Sequence, residues 1–264
     1  MLDIIAPPRP GLDLRQHYGH WQSPAVRAGG FVFCSGLLPV DAETGERRHG
    51  TLTEEAHVIF ANLKLLLAAA GSSLDHLVQA HALIYDSIEY DVLNRIYRQY
   101  VGAAPPARTV WDARSEAGFK VQLDVTAAAP DALAGNAGPA LREALAPPAN
   151  DALASAAVRG GDFVFVSGLT AADAVTGGPV PQTTAEQTAL VLDHMQRVLK
   201  EAGSSLRQVV KVNVLLHSML EAPNMNEVYA CFFPDPPPAR TVCGARLPPG
   251  IKVMIECTAL GATR

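Results

Sequence analysis

The chain carries nearly the same sequence twice, and this constrains its fold more than any other feature. Phe31-Val32-Phe33-Cys34-Ser35-Gly36-Leu37 returns as Phe163-Val164-Phe165-Val166-Ser167-Gly168-Leu169, an offset of 132 (167 minus 35). The same offset relates Gly71-Ser72-Ser73-Leu74 to Gly203-Ser204-Ser205-Leu206, and Pro106-Ala107-Arg108-Thr109-Val110 to Pro238-Ala239-Arg240-Thr241-Val242. It also relates Asn94 to Asn226, Tyr97 to Tyr229 and Lys120 to Lys252. Solenoid repeats are far shorter than this. A register kept over most of each half therefore implies one folded unit duplicated. In 264 residues there is room for two such units, each large enough for its own core. The expected division is 1–130 for the first domain, 131–152 for an Ala-, Pro- and Gly-rich linker with one helical turn near Leu141 to Leu145, and 153–264 for the second domain.

Each half reads strand, strand, helix, strand, helix, strand, strand. Gly29-Gly30 between Ala25-Val26-Arg27-Ala28 and Phe31-Val32-Phe33-Cys34 signals a hairpin. Thr51-x-x-Glu54 and Thr183-x-x-Glu186 resemble capping boxes. Ala56, Ile59, Phe60, Leu63, Leu67 and Ala70 follow at helical spacing, and Gly71 or Gly203 is the stop signal. Val210, Val212, Val214 and Leu216 keep a period of two. A second helix runs from about Glu89 to Tyr100, and again from Glu221 to Phe233, before prolines end it. Two closing strands complete the unit. The resulting expectation is an α+β fold with helices packed on one face of a mixed sheet. Apolar residues on both faces of several strands require that the other face be covered too, by close domain association or by oligomerisation.

The net charge of −5 argues against a nucleic-acid surface. No apolar run approaches a membrane span, and the N-terminus lacks the pattern of a signal peptide, so a cytoplasmic location is expected. The cysteines Cys34, Cys231, Cys243 and Cys257 form no C-x-x-C pair, and no metal-ligand spacing is present among the histidines. A metal enzyme is therefore not expected. Cys34, Cys231 and Cys257 sit in apolar runs and are expected to be buried thiols.

Arg108 and Arg240 are the foremost candidates for chemistry. Each follows a proline-rich bend and begins a strand, where a guanidinium can offer its planar fork to a carboxylate. An arginine paired with a protein carboxylate at an interface satisfies the same pattern. Ser35-Gly36 and Ser167-Gly168 are expected to end a strand, where a tight turn or close ligand approach calls for glycine. No G-x-S-x-G elbow surrounds either serine, which argues against a nucleophile. Asn94 and Asn226 suit either a pocket or the surface.

Taken together, the strand ending in Ser-Gly, the helix ending in A-G-S-S-L, the Asn-x-x-Tyr helix, Pro-Ala-Arg and a last strand starting at lysine resemble the Rid family, the YjgF-type reactive intermediate deaminases. The match is closest over Phe163 to Leu260 and looser over Phe31 to Ala127. The resemblance implies two tandem chorismate-mutase-like (YjgF-type) domains and trimeric assembly with clefts between neighbouring units. It implies hydrolysis of enamine or imine intermediates such as 2-aminoacrylate to a 2-keto acid and ammonia, without a cofactor. Arg108 and Arg240 take the carboxylate-binding role; Ser35, Gly36, Ser167, Gly168, Asn94 and Asn226 line clefts. Members often carry a cysteine just after the arginine; here Cys243 falls one position later and its twin is Trp111. A glutamate that positions water in many deaminating members aligns with Gln122 and Met254, neither of which is a base. Where many members carry a tyrosine before the first strand, the first half has His17, Tyr18, His20 and Trp21. Three readings stay open: a hydrolase for small imines, a non-catalytic module that binds carboxylate metabolites, and a deaminase for a larger imine. The expected partner is a small carboxylate-bearing substrate, with neither nucleic acid nor membrane, in a homo-oligomer of three chains.

Overall fold

The computed structural model describes residues 2–13, 22–113, 118–130, 142–145, 153–174, 179–233 and 235–261. His17, Tyr18, His20, Trp21 and most of the expected linker lie outside them. The first half contains β1 (Asp3–Ile5), β2 (Ala25–Ala28), β3 (Phe31–Cys34), α1 (Leu52–Ala69), β4 (Leu77–Ile84), α2 (Tyr90–Tyr97), β5 (Ala107–Asp112) and β6 (Val121–Ala128). The second contains β7 (Arg142–Ala144), β8 (Ala157–Gly160), β9 (Phe163–Thr170), α3 (Ala171–Ala174), α4 (Thr184–Glu201), β10 (Val209–Leu216), α5 (Ala222–Phe232), β11 (Ala239–Gly244) and β12 (Val253–Leu260). The strand orders are β1-β2-β3-β6-β4-β5 and β11-β10-β12-β9-β8-β7. In each sheet the arginine-bearing edge strand is the one that runs parallel to its neighbour, β5 beside β4 and β11 beside β10. The architecture is therefore the expected α+β unit, built twice.

Local chemistry explains why both halves fold alike. Thr51 caps α1 reciprocally with Glu54: the Glu54 N–H donates to the threonine hydroxyl at 3.3 Å, and the Thr51 N–H donates to the carboxylate at 2.8 Å. Thr183 caps α4 through its hydroxyl, which accepts the Glu186 N–H at 3.2 Å and donates to the Glu186 carboxylate at 2.6 Å. Gly71 and Gly203 adopt φ of +73° and +69°, a region that other residues occupy only under strain. The serine that follows each glycine fastens the helix end to the last strand, Ser72 to the Ala128 carbonyl at 2.7 Å and Ser204 to that of Leu260 at 2.6 Å. The A-G-S-S-L motif is thus structural. Glu55 and its twin Gln187 are buried and accept the N–H of Lys120 and Lys252 at 2.7 and 2.8 Å, which fixes the start of the closing strands.

Three expectations need correction. The helical turn near Leu141 to Leu145 is instead strand β7, because residues 142–144 pair along β8 as β1 pairs along β2. Glu143 lies opposite Arg159 as Asp3 lies opposite Arg27. Ser167-Gly168 does not end a strand: β9 continues through it to Thr170, paired with β12 up to Met254. Cys231 is exposed on α5, whereas Cys34 and Cys257 are buried. Burial, reinforced by Asp124, pushes the Cys34 thiol up to about 12, so it is inert near neutral pH.

The halves pack through the sheet faces opposite their helices. Phe31 meets Phe165 and Phe163 edge-on, with centroids 5.7 and 6.0 Å apart, and Val78, Ala107 and Val158 close the cluster. Asp112 pairs with Arg246 across the same seam at 3.2 Å. The contact joins unlike surfaces, β5 of the first half against β9 of the second. As a result β5 is almost wholly buried while its twin β11 is almost wholly exposed.

Candidate functional site

Arg108 is 5% exposed, at the seam between the halves. Its backbone N–H donates to the Ser167 hydroxyl at 2.9 Å, and that hydroxyl donates to the Ser155 carbonyl at 2.6 Å. Its Nη1 donates to Asn94 Oδ1 at 2.8 Å, and its guanidinium lies 4.1 Å from the centroid of the Tyr97 ring. The Asn-x-x-Tyr spacing is explained by this arrangement, since residues three apart on a helix share a face. Nε and Nη2 are buried without a hydrogen-bond partner among the described residues. Two orphaned donors on a buried cation cost folding free energy, and a ligand with two acceptor oxygens removes that cost.

A cavity of about 180 Å³ opens at this point. It is lined by Arg108 and Tyr90 from the first half and by Ser167, Gly168, Asp173 and Met254 from the second. A Cβ at Gly168 would come within 2.7 Å of Thr109 Cγ2 and 2.8 Å of Met254 Sδ, so only glycine allows the halves to approach this closely. The aligned position in the last strand does face Ser-Gly in both halves. Met254 meets Gly168, and Gln122 Nε2 donates to the Gly36 carbonyl at 3.3 Å. Asp173, which the sequence did not single out, brings a carboxylate to the cavity. Its Oδ2 accepts the Thr170 N–H at 2.6 Å and the Thr170 hydroxyl at 2.7 Å.

The remaining candidates fall elsewhere. Arg240 is exposed, over the Tyr229 ring at 4.4 Å, and burial pushes that phenol up to about 12 despite the cation. Asn226 and Cys243 are exposed and line neither described cavity. Burial, with Glu256 nearby, raises the Cys243 thiol, which disfavours a thiolate there. Ser35 donates to the Ser23 carbonyl at 2.7 Å, and neither it nor Gly36 lines either described cavity. Trp111 lines the neighbouring groove and not the Arg108 cavity. It packs against His81, with centroids 5.8 Å apart, and against the Leu215, Leu247, Ile251 and Met254 cluster.

A second polar group missed in the sequence lies beside the cavity. His81 Nδ1 donates to Asp124 at 3.0 Å and Nε2 donates across the seam to Glu256 at 3.0 Å. Glu256 also accepts from Thr109 and from Asn213, the latter at 2.7 Å. The cross-strand register could have revealed it, because His81 opposite Asp124 is the twin of Asn213 opposite Glu256. Among the described residues no group of acidic, histidine or cysteine side chains could hold a metal ion.

The endoribonuclease L-PSP family matches at residues 15–129 and again at 144–261. The chain belongs to this family, the YjgF/Rid group. The mitochondrial protein mmf2 of Schizosaccharomyces pombe is 44% identical over 107 residues, 39% of this chain and 83% of mmf2. The chloroplastic Reactive Intermediate Deaminase A of Arabidopsis thaliana is 38% identical over 106 residues, 40% of this chain and 57% of that protein. Among solved structures, a YjgF family member from Neisseria meningitidis is 29% identical, covers 47% of this chain and 97% of its own, and superposes with a TM-score of 0.41. Each relative covers about one half of this tandem member. No helix among its described residues is long and apolar enough to cross a membrane.

Proposed function

We propose that this Rid-family chain hydrolyses the C=N bond of 2-imino acids, giving a 2-keto acid and ammonia, in the cavity between its two halves. The observation that carries this reading is the buried Arg108 with two unpartnered donors on a small cavity. The substrate carboxylate takes Nε and Nη2 as a bidentate pair, which holds C2 in the cavity near its attack geometry. Water then adds to C2 of the iminium: the C–O bond forms, the C=N π electrons move to nitrogen, and one water proton leaves. Asp173 is the carboxylate placed to receive that proton, in the role for which Gln122 and Met254 are unsuited. Transfer of a proton to the amino group and loss of the hydroxyl proton break the C–N bond and release ammonia and the keto acid. The name endoribonuclease belongs to the family; a cavity of about 180 Å³ with one guanidinium and a net charge of −5 favour a small carboxylate over an RNA strand.

The test is the rate of keto-acid appearance from freshly generated 2-iminopropanoate. Acceleration over buffer is expected. No acceleration, together with stoichiometric keto-acid binding, would favour the non-catalytic module. Asp173→Asn is expected to lower kcat about 10²-fold with little change in KM, the usual cost of a positioned base; an unchanged kcat removes Asp173 from the mechanism.

We also propose association through the uncovered surfaces. A contact between unlike faces leaves one of each open, here β11 with Arg240 and the face bearing Ser35-Gly36. A scattering mass of three chains is expected, and a stable monomer overturns it.

A further inference from the structure

The Arg108 cavity has a larger neighbour. A groove of about 440 Å³ adjoins it, and the two share Tyr90, Val110 and Pro248 as walls. Ile84, Trp111 and Pro249 add apolar wall, with the exposed Ile88 at the rim, and Asp91 adds one carboxylate. Its far side carries the Asp112–Arg246 pair. The floor is β5 itself. Along an extended strand Val110 lies about 7 Å from Arg108 and Asp112 about 13 Å from it. A ligand anchored at Arg108 and running along β5 therefore enters the groove after its first few atoms.

The duplication shows that the groove is particular to the first half. Tyr90 and Trp111, its two rings, have Ala222 and Cys243 as twins. Val110 and Ile84 have Val242 and Leu216, which keep their apolar character. Cavities that bind organic ligands combine a few fixed polar groups with apolar and aromatic walls. Here the polar anchor lies in the small cavity and the apolar walls in the large one. A three-carbon imino acid fills the first and leaves the second to water.

We infer that the preferred substrate is a 2-imino acid with an aromatic or long aliphatic side chain, its carboxylate on Arg108 and its side chain against Trp111, Tyr90 and Pro248. This inference rests on the proposed carboxylate role of Arg108. The chain thus acts downstream of a reaction that oxidises the C–N bond of a large apolar amino acid, two electrons and two protons passing to that reaction's own acceptor, to leave a C=N bond at C2.

Calorimetric binding of pyruvate, phenylpyruvate and 2-oxooctanoate to the intact chain tests it. The two larger acids are expected to bind at least about tenfold more tightly than pyruvate, since pocket-filling methylenes are worth tens of fold. Arg108→Met is expected to abolish binding of all three. Trp111→Ala is expected to erase only the advantage of the larger acids. Ile88→Asp, at an exposed rim position that the fold does not need, is expected to weaken that advantage. Equal or tighter binding of pyruvate, with binding still lost in Arg108→Met, overturns the side-chain inference and leaves the carboxylate reading standing. Binding that survives Arg108→Met overturns both.

Discussion

Arg108→Met is expected to lower kcat/KM for imine hydrolysis by about 10²–10⁴-fold while leaving the melting temperature unchanged or higher. The rate loss follows from two charge-assisted hydrogen bonds to the carboxylate at about 1.5–3 kcal/mol each, with about 1.4 kcal/mol per factor of ten. The stability result follows from how Arg108 is paired within the chain. Arg108 is buried, and Nε and Nη2 have no hydrogen-bond partner among the described residues. Each unsatisfied buried donor costs about 1–3 kcal/mol, and an apolar side chain of similar length in place of a buried charge is often neutral or stabilising. Losing the Asn94 contact and the Tyr97 ring contact offsets part of that gain. A lower melting temperature together with unaltered kcat/KM would show that the guanidinium serves the fold instead. Arg240→Met is the internal control. Arg240 is exposed within one chain and lies on the face proposed for association, so the comparison is made at matched scattering mass, where kcat/KM should stay within about twofold.

His81→Ala is expected to destabilise the protein by roughly 3–5 kcal/mol, the usual cost of removing one partner of a buried ion pair. Glu256 is 4% exposed and would lose its charged partner. Burial alone would lower the His81 pKa, but the hydrogen bonds it donates to Asp124 and Glu256 and their charges raise it to about 10. Burial pushes Glu256 up, but its bonds to His81, Asn213 and Thr109 and the histidine's charge leave it below its ordinary value. The two signs bracket a pH window. A raised histidine stabilises fully below its unfolded value of 6.5, and that contribution is lost as pH climbs through about 10. A lowered carboxylate stabilises above its unfolded value of 4.5, and that contribution is lost on acidification through its folded value. Urea midpoints should therefore be highest between those limits and fall toward pH 10. In His81→Ala the alkaline fall should vanish. A fall of equal size in the variant would mean that other groups control it.

Much of the architecture was legible because it is written in local chemistry. The capping threonines, the positive-φ glycines, the hairpin glycines and the alternating strands each depend on neighbours a few residues away, and the duplication showed each signal twice. The Asn-x-x-Tyr and Ser-Gly motifs were visible, but their work was not. Asn94 and Tyr97 clamp Arg108, and Ser167 holds the backbone of Arg108 from the other half. Those contacts span 59 residues in the case of Ser167, beyond any periodicity. Asp173 and the His81–Glu256 bridge were missed for the same reason. The latter joins residues 175 apart, and nothing near either marks the other.

The sequence by itself determined that there are two units, the α+β order of each, and that an arginine stands at the start of a closing strand in both. It could not say which arginine matters, because Pro-Ala-Arg-Thr-Val is identical in the two halves. Only the tertiary structure separates them. Docking β5 against β9 buries Arg108 beside Ser167 and Gly168 and leaves two of its donors without a partner among the described residues, while the same strand in the second half is exposed. A guanidinium in water is already satisfied. Removed from water and incompletely paired, it becomes a site for an anion.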